Sequence, residues 1–261
     1  MAELTFRAHG IVLRRTKLGE TDLIVTLLTD GSSQVRAVAK GARKPGARLA
    51  GVLDLGSECD LLLRRGRGSL AIVAEGSLVH GRESLARELE RSAMMDVILE
   101  VADALTTEGE HGPALLPLTA TALEALEPVR TGLVPMVGAA FTLKAVSMQG
   151  YRPQLDACMT CGEPVSLAGE GSAWVSPAEG GLVCEGCAAL AGARRYPARV
   201  VAWARSLITM RFSEVLALPP AAGEAGLGLD VLDFCRDWLA HYPGARPRSL
   251  DFVLSLGTYR D

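Results

Sequence analysis

The chain has 261 residues, of which 49% are hydrophobic and 22% are charged. This composition supports one large or two small packed cores, which excludes a disordered tail protein. The net charge of −3 conceals an asymmetry, because residues 1–80 carry 12 basic and 8 acidic side chains whereas residues 81–261 carry 15 and 22. The first part of the chain is therefore predicted to differ electrostatically from the rest.

Neither a basic and apolar leader nor a membrane span is predicted. The longest apolar stretch, Leu133 to Leu143, ends at Lys144, short of the ~20 residues that a bilayer span needs. We expect a soluble, non-secreted, cytoplasmic protein without a membrane partner. Six cysteines are too few for a disulfide framework in a chain of this length, so clustered cysteines are interpreted first as metal ligands.

Residues 5–80 have the pattern of short strands joined by glycine-rich turns. Strands are predicted over 5–13, 22–29, 34–38, 59–63 and 70–73. Five short strands within about eighty residues suit a small closed or nearly closed barrel, most commonly an OB-fold. A small SH3-like barrel is the alternative.

From Glu83 the spacing of apolar residues becomes helical. Helices are predicted from Leu85 to Leu105 and then over 113–126, 133–148, 198–216, 229–241 and 249–256. The stretch 219–223 is predicted to be a linker. The predicted fold class is α+β, with an N-terminal OB-fold barrel (1–80), an α-helical domain (81–150 and 194–261) and an inserted four-cysteine zinc subdomain (151–193).

The strongest motif is Cys158-x2-Cys161-x22-Cys184-x2-Cys187. Two Cys-x-x-Cys turns supply the four thiolates of a tetrahedral zinc shell, at about 2.3 Å per bond. A catalytic zinc would keep one position open for water, and no histidine or glutamate lies nearby in ligand register. A structural Zn2+, one per chain, is therefore favoured, and it would stabilise a small subdomain that lacks its own core.

Two stretches of the sequence, 31–53 and 186–213, contain basic but no acidic residues. Clustered cations release counterions from a phosphate backbone, and aromatic rings such as Tyr196 can stack on unpaired bases, so a polyanion is the expected partner. The alternative is a solvated basic face, or arginine stems that cover a helix. The candidate DNA-binding residues, from these stretches and elsewhere, are Arg14, Arg15, Arg36, Lys40, Arg43, Lys44, Arg48, Arg64, Arg65, Arg67, Arg194 and Arg195.

The first stretch is expected to be the main DNA contact. The second is expected to hold a second strand, with Tyr196 beside Arg194 and Arg195 as a flat surface for bases. No catalytic motif accompanies these cations: Gly41-x4-Gly46 is not followed by the Lys-Ser/Thr of a P-loop, and no metalloprotease or serine-hydrolase motif occurs. We therefore expect a protein without enzymatic activity.

Four segments together resemble one known family. They are Gly10-Ile-Val-Leu-Arg14, Gly19-Glu-Thr-Asp22, Ala39-Lys-Gly-Ala-Arg43 and Gly150-Tyr-Arg-Pro153 ahead of the cysteines. In this order they are similar to the RecO family of bacterial recombination mediators. The resemblance implies an OB-fold, a helical domain interrupted by a zinc subdomain, binding of single- and double-stranded DNA and annealing of complementary strands. It also implies work with RecR and with the single-strand-binding protein SSB, through its C-terminal tail, to load RecA, and association with the nucleoid.

The distribution of aromatic residues bears on how the barrel would bind DNA. The barrel segment contains a single aromatic residue, Phe6, whereas 11 of the 12 aromatic residues lie from Phe141 onward. OB-folds usually stack single-stranded bases on aromatic rings, so this barrel is predicted to bind mainly through phosphates, which leaves base edges free to pair. The alternative function is a zinc-stabilised scaffold that joins proteins and touches DNA only incidentally.

Overall fold

The computed structural model describes residues 5–30, 33–66, 68, 70–109, 115–169, 171–219 and 226–256. The chain divides into two compact units, Met1–Glu127 and Pro128–Asp261. Among the described residues, the first unit contains the barrel, Cys59 and three helices, and the second contains the other five cysteines and the remaining helices.

Five strands close into the barrel of the first unit. They are β1 (Thr5–Leu18), β2 (Asp22–Thr29), β3 (Gln34–Ala39), β4 (Glu58–Arg64) and β5 (Ala71–His80). The strand order is β1-β2-β3-β5-β4, and β4 pairs back with β1. The β3/β5 pair is parallel and the others are antiparallel. This connectivity is that of an OB-fold, so the predicted OB-fold is confirmed in preference to the SH3-like barrel.

Alternate side chains of the strands fill the barrel interior, because successive residues of a strand point to opposite faces. The buried interior residues include Val12, Leu23, Val25, Leu27, Ala37, Ala39, Leu61, Leu63 and Val73. β1 continues five residues beyond its predicted end, past a register shift between Val12 and Arg14, and β5 extends to His80. Both extensions lack the apolar alternation that predicts a strand.

Three helices complete the first unit. They are α1 (Glu83–Ala86), α2 (Leu89–Ala104) and α3 (Leu115–Leu126). α2 buries Met94, Val97, Ile98 and Val101 on the face predicted from the sequence, and it packs against α3 and β1. The first two residues of the predicted helix 113–126 lie outside the described residues.

The second unit consists of helices around a small sheet. The helices are α4 (Val134–Met148, preceded by a 3-10 turn at Thr131–Leu133), α5 (Glu185–Ala188), α6 (Ala198–Thr209), α7 (Phe212–Leu216), α8 (Leu227–His241) and α9 (Arg248–Leu256), and the strands are β6 (Ser172–Ser176), β7 (Gly181–Val183) and β8 (Arg194–Pro197). The strand order is β7-β6-β8. α4 packs against α6, α7 and α8. Thr131–Met148 has the length and hydropathy of a membrane span, but 72% of it is buried inside the protein, as in a core helix.

One predicted helix is two in the structure. The predicted helix 198–216 is interrupted at Met210 and Arg211, whose backbones are extended. The backbone N–H of Arg211 donates to the Glu214 carboxylate at 2.6 Å, which begins α7 with a local cap. Of the predicted linker 219–223, all but the first residue lies outside the described part of the chain.

Candidate nucleic-acid interface and metal centre

The connection after β3 begins with a loop, residues 40–44, that is fixed to the start of β2; we call it the β3 loop. Gly41 has a left-handed backbone (φ 66°), which glycine adopts without a steric penalty. Its N–H donates to a carboxylate oxygen of Asp22 at 2.8 Å. The N–H of Arg43 donates to the carbonyl oxygen of Thr21 at 2.9 Å. The β3 loop is therefore ordered against the β1–β2 turn.

The carboxylate of Asp22 is the anchor of the β3 loop. The hydrogen bond from the Gly41 N–H, followed by that from the Thr21 hydroxyl, lowers the pKa of Asp22 from its ordinary value, and the nearby lysines act in the same direction. Asp22 is consequently ionised at neutral pH and stays an acceptor. It was not among the residues predicted from the sequence, because its partner is a backbone group 19 positions away.

The three cations of the β3 loop have different surroundings. Lys40 and Lys44 are exposed, and neither forms an ion pair within the described part of the chain. The Arg43 guanidinium instead donates to the carbonyl oxygens of Gly19 and Glu20, at 3.1 and 2.9 Å. Arg43 therefore braces the loop against the β1–β2 turn, while the two lysines present their ammonium groups to solvent.

A row of polar residues crosses the outer face of the barrel beside this loop. Arg14 pairs with Thr26 across β1 and β2, and Thr26 pairs with Arg36 across β2 and β3, so their side chains share one face. Thr26 is buried on that face, and Arg14 is the exposed member of the three. Arg36 is half-buried, and its Nε has no hydrogen-bond partner among the described residues. Arg14 lies 3.8 Å from Asp103. OB-folds commonly bind oligonucleotides on this face of strands 2 and 3.

The other predicted cations of the barrel are not equivalent. Arg15 forms an ion pair with a carboxylate of the β3–β4 connection. Arg48 and Arg65 are exposed, and no ion pair to either occurs in the described residues. Arg64 is half-buried at the end of β4 and engaged in further interactions. Arg67 lies outside the described residues.

Carboxylates distant in sequence pair with three of the five arginines of the second acid-free stretch. Arg194 pairs with Asp233 at 3.3 Å and with Asp237, both on α8. Two further pairs are Arg199–Asp230 at 3.7 Å and Arg205–Asp156 at 3.8 Å. A sequence window without acids thus does not produce a surface without acids, because folding brings α8 alongside it. Arg194 is therefore held by two aspartates and is not part of the proposed DNA interface.

The expectation that Tyr196 offers a flat surface to bases is wrong. Tyr196 is buried, with its ring edge-on to Phe234 at 5.3 Å between centroids, and its hydroxyl donates to Asp237 at 2.6 Å. Burial and this carboxylate raise its pKa. Arg195, by contrast, is exposed, with its guanidinium 6.0 Å from the centroid of the Trp174 ring. Arg195 stays a predicted phosphate contact.

Four cysteine side chains meet at one point in the second unit. The sulfur atoms of Cys158, Cys161, Cys184 and Cys187 all lie within 4.8 Å of one another, and those of Cys161 and Cys184 are 3.7 Å apart. Tetrahedral ligands at about 2.3 Å from zinc are separated by about 3.8 Å. The arrangement can hold a metal ion.

The backbone shapes this cluster and tunes its acidity. The Gly162 N–H donates to the carbonyl of Cys158 at 2.8 Å, and the Cys187 N–H to that of Cys184 at 3.0 Å, which closes each Cys-x-x-Cys turn. Burial acts to raise the pKa of Cys158, but backbone hydrogen bonds from Cys184, Cys161 and Thr160 outweigh it and lower the pKa to about 6, whereas the side-chain contact with Cys184 raises the pKa of Cys187 to about 12. A thiolate is the form that coordinates a metal.

These features define an OB-fold protein with a second, helical unit: two exposed lysines lie in the β3 loop of the barrel, and the second unit carries the four-cysteine cluster. Two family models match it: the one described as Recombination protein O N terminal matches residues 1–82, and the one described as Recombination protein O C terminal matches residues 86–250. The chain belongs to the RecO family of DNA repair proteins, which confirms the resemblance seen in the sequence.

Individual relatives agree with this assignment. The DNA repair protein RecO of Roseiflexus sp. is 31% identical over 257 residues, which cover 97% of this chain and 86% of the relative. That of Desulforudis audaxviator is 28% identical over 258 residues, 97% of each chain. That of Bifidobacterium adolescentis is 37% identical over 186 residues, 69% of this chain and 72% of the relative. The similarity extends through both units.

Proposed function

We propose that this chain is a non-enzymatic, DNA-binding recombination mediator that acts in DNA repair in the cytoplasm, at the nucleoid. It binds single- and double-stranded DNA through phosphates and anneals complementary strands. With RecR it helps to load RecA on DNA coated with SSB, whose C-terminal tail it contacts. The observation that carries the DNA-binding part is the ordered β3 loop with its two solvent-facing lysines.

Charge and order together favour phosphate binding by the β3 loop. Lys40 and Lys44 are not neutralised by ion pairs in the described residues, so a phosphate need not displace a carboxylate. The loop is already held by Asp22, which reduces the entropy lost on binding. Arg36, on the neighbouring outer face, is half-buried and its Nε is inaccessible, so any phosphate contact it makes is through the end of its guanidinium group.

The surface chemistry of the barrel favours backbone contact over base contact. The one aromatic residue of its segment, Phe6, packs against the barrel core. Among the half-buried outward residues beside the β3 loop are Ile24 and Val38, which provide no ring for stacking. A strand held here by its phosphates keeps its base edges free for a complementary strand, which annealing requires.

The metal of the cysteine cluster is proposed to be zinc in a structural role. Zinc prefers four thiolates in this arrangement, and a shell of four cysteines has no open position for water. Bound zinc would cross-link the two Cys-x-x-Cys turns. Cys158, Val183 and Ala188 form the small core beneath it. We propose residues 151–193 as the subdomain that this ion stabilises.

The salt dependence of DNA binding tests the barrel site. Replacing Lys40 and Lys44 by alanine should make the negative slope of log affinity against log salt shallower, by about 1.4 on single strands and about 1.8 on duplexes, since each lost phosphate contact removes about 0.7 or 0.9. The measurement is fluorescence anisotropy of labelled oligonucleotides across a salt series.

A matched control removes the same charge from residues held in ion pairs. Arg15 pairs with Asp54, and Arg205 lies 3.8 Å from Asp156. Arg15→Ala/Arg205→Ala should change the slope by much less than Lys40→Ala/Lys44→Ala. Equal slopes for the two double variants would show that net charge alone governs binding, and the β3 loop would lose its assigned role.

A further inference from the structure

A ladder of aromatic rings runs along α8 and ends at the surface of the second unit. Phe234 and Trp238 are stacked one helical turn apart, with 6.2 Å between centroids, and Tyr242 follows at 5.8 Å from Trp238. Tyr151, from the segment before the cysteines, stacks on Tyr242 at 5.4 Å with the ring planes 16° apart. The inner rings are buried, and Tyr151 is 38% exposed. Tyr151 is therefore the outermost ring.

The position of Tyr151 is fixed by its backbone. The indole Nε1 of Trp238 donates to the carbonyl oxygen of Tyr151 at 2.8 Å. The N–H of Tyr151 donates to the carbonyl oxygen of Val146 at 2.9 Å. Gly150 precedes it with φ 86°, a conformation that a β-carbon would strain. The exposed ring thus sits on a rigid support, so little order has to be gained when a ligand stacks on it.

The Tyr151 side chain is partly exposed and has few partners. Within the described part of the chain its one ring contact is Tyr242, and its hydroxyl has no hydrogen-bond partner. Three exposed side chains that are positively charged or can be protonated lie close to Tyr151 and Tyr242 in the sequence. Arg152 follows Tyr151, His241 precedes Tyr242, and Arg246 is four residues after Tyr242. The His241 ring contacts Tyr242 edge-on at 4.5 Å. Neither arginine forms an ion pair among the described residues.

The two carboxylates of α8 that lie nearest to Trp238 in the sequence are engaged by other side chains. Asp237, one helical turn before His241, accepts a hydrogen bond from Tyr196 and pairs with Arg194. Asp233 pairs with Arg194 and with Arg236. Neither aspartate forms an ion pair with Arg152 or Arg246 among the described residues, which leaves both arginines available to a phosphate. An exposed aromatic ring with unpaired cations close to it in sequence is the combination from which we infer binding of an unpaired base together with its phosphates.

We propose that Tyr151, supported by Tyr242, is a stacking site for an unpaired base of single-stranded DNA, with Arg152 and Arg246 contacting the flanking phosphates. This inference rests on the proposed function only in naming DNA as the ligand. It gives the chain a second nucleic-acid contact of different chemistry from the barrel, one that requires bases. Duplex DNA, whose bases are already stacked, does not use it.

The test compares an oligo(dT) with an oligonucleotide of the same length built from abasic sites. Both carry the same phosphates, so the ratio of their affinities isolates base stacking. The full-length wild-type chain should bind oligo(dT) about fivefold or more tightly, as expected for one stacked base. The ratio should fall toward one in Tyr151→Leu and persist in Tyr151→Phe, which keeps the ring. Phe252→Leu, which removes a 48% exposed ring on α9, is the matched control and should leave the ratio unchanged.

A second readout does not depend on affinity. Irradiated oligonucleotides containing 5-iodouracil cross-link to aromatic side chains in stacking contact, and mass spectrometry should locate the adduct at Tyr151. An unchanged affinity ratio in Tyr151→Leu, or adducts that avoid residues 151 and 242, overturns the proposal. The proposal is also overturned if Tyr151→Leu abolishes binding of an acidic peptide but leaves the affinity ratio of the two oligonucleotides unchanged. Tyr151 would then be part of a protein-binding site. If the wild type binds both oligonucleotides equally and in a salt-dependent way, the stacking proposal is refuted but the proposed DNA-binding function is not. If it binds neither oligonucleotide, both are refuted.

Discussion

Loss of one cysteine ligand should unfold the region around the metal centre. Cys158→Ser removes a thiolate whose side chain is buried beneath the two Cys-x-x-Cys turns. The variant should bind zinc weakly, whereas the wild type should carry about one zinc per chain by elemental analysis. Met159→Ala is the matched control, because Met159 lies in the same turn, is 43% exposed and is not a ligand.

The expected loss of folding free energy follows from the small size of the hydrophobic core beneath the cysteine cluster. Its buried members are Cys158, Val183 and Ala188, and burying a side chain such as Val183 contributes about 1.5–3 kcal/mol. Structural zinc contributes about 10–16 kcal/mol of apparent binding free energy in zinc-finger peptides at neutral pH. The metal term is therefore several times larger than the packing term, and removal of the metal should unfold the segment instead of loosening it.

Tryptophan fluorescence can follow this unfolding locally. Trp174 lies on β6 and packs against the cluster, so adding a chelator to the full-length protein should shift its emission to longer wavelength. Trp174→Phe identifies the signal, and Cys158→Ser should show the shifted emission before any chelator is added. The reasoning is refuted if chelation removes the metal while emission and thermal unfolding stay as they were.

Two smaller effects concern the barrel. His9 lies 2.9 Å from Asp60 and 3.0 Å from a second carboxylate, and chiefly the Asp60 hydrogen bond raises its pKa against the effect of burial. Its stabilising contribution is complete below the unfolded pKa of about 6.5 and is lost as pH rises through the higher folded value. Chemical denaturation should show less than about 1 kcal/mol of such loss because the side chain is part-exposed, and His9→Gln should abolish it; an identical pH dependence in the variant would count against the assignment. Asp22→Ala should release the Gly41 N–H and weaken DNA binding while the barrel still melts cooperatively, and unaltered affinity would show that the loop needs no anchor.

Local sequence patterns are sufficient to predict the bounds of a regular barrel strand. β2 was predicted with the bounds it has, because its apolar residues form a continuous run. β1 was predicted to end at Leu13, since the residues after the register shift at Val12/Arg14 are exposed and polar on both faces. That extension contains Arg14 and Arg15. Both were predicted to be candidate DNA contacts, but the sequence pattern did not predict that they lie on a strand.

Contacts between distant residues were beyond the reach of a single sequence. The cysteine spacing predicted a four-sulfur cluster, and the structure brings the four sulfurs together, because the two short turns fix their own geometry. The basic stretch 186–213 was predicted to be a cationic surface, but α8 supplies the aspartates that pair with it. The lysines of the β3 loop, in contrast to the arginines of stretch 186–213, form no ion pair among the described residues.

The central claim, that the β3 loop contacts the DNA backbone, can be tested on the unmodified protein by lysine acetylation. The chain has four lysines, Lys17, Lys40, Lys44 and Lys144, so mass spectrometry can follow each one separately. Lys144, whose Nζ donates to a backbone carbonyl oxygen in the second unit, serves as the internal reference. With saturating single-stranded DNA at low salt, acetylation of Lys40 and Lys44 should slow markedly relative to Lys144, and high salt should reverse the effect. Unchanged reactivity of both lysines in the bound state would contradict the account.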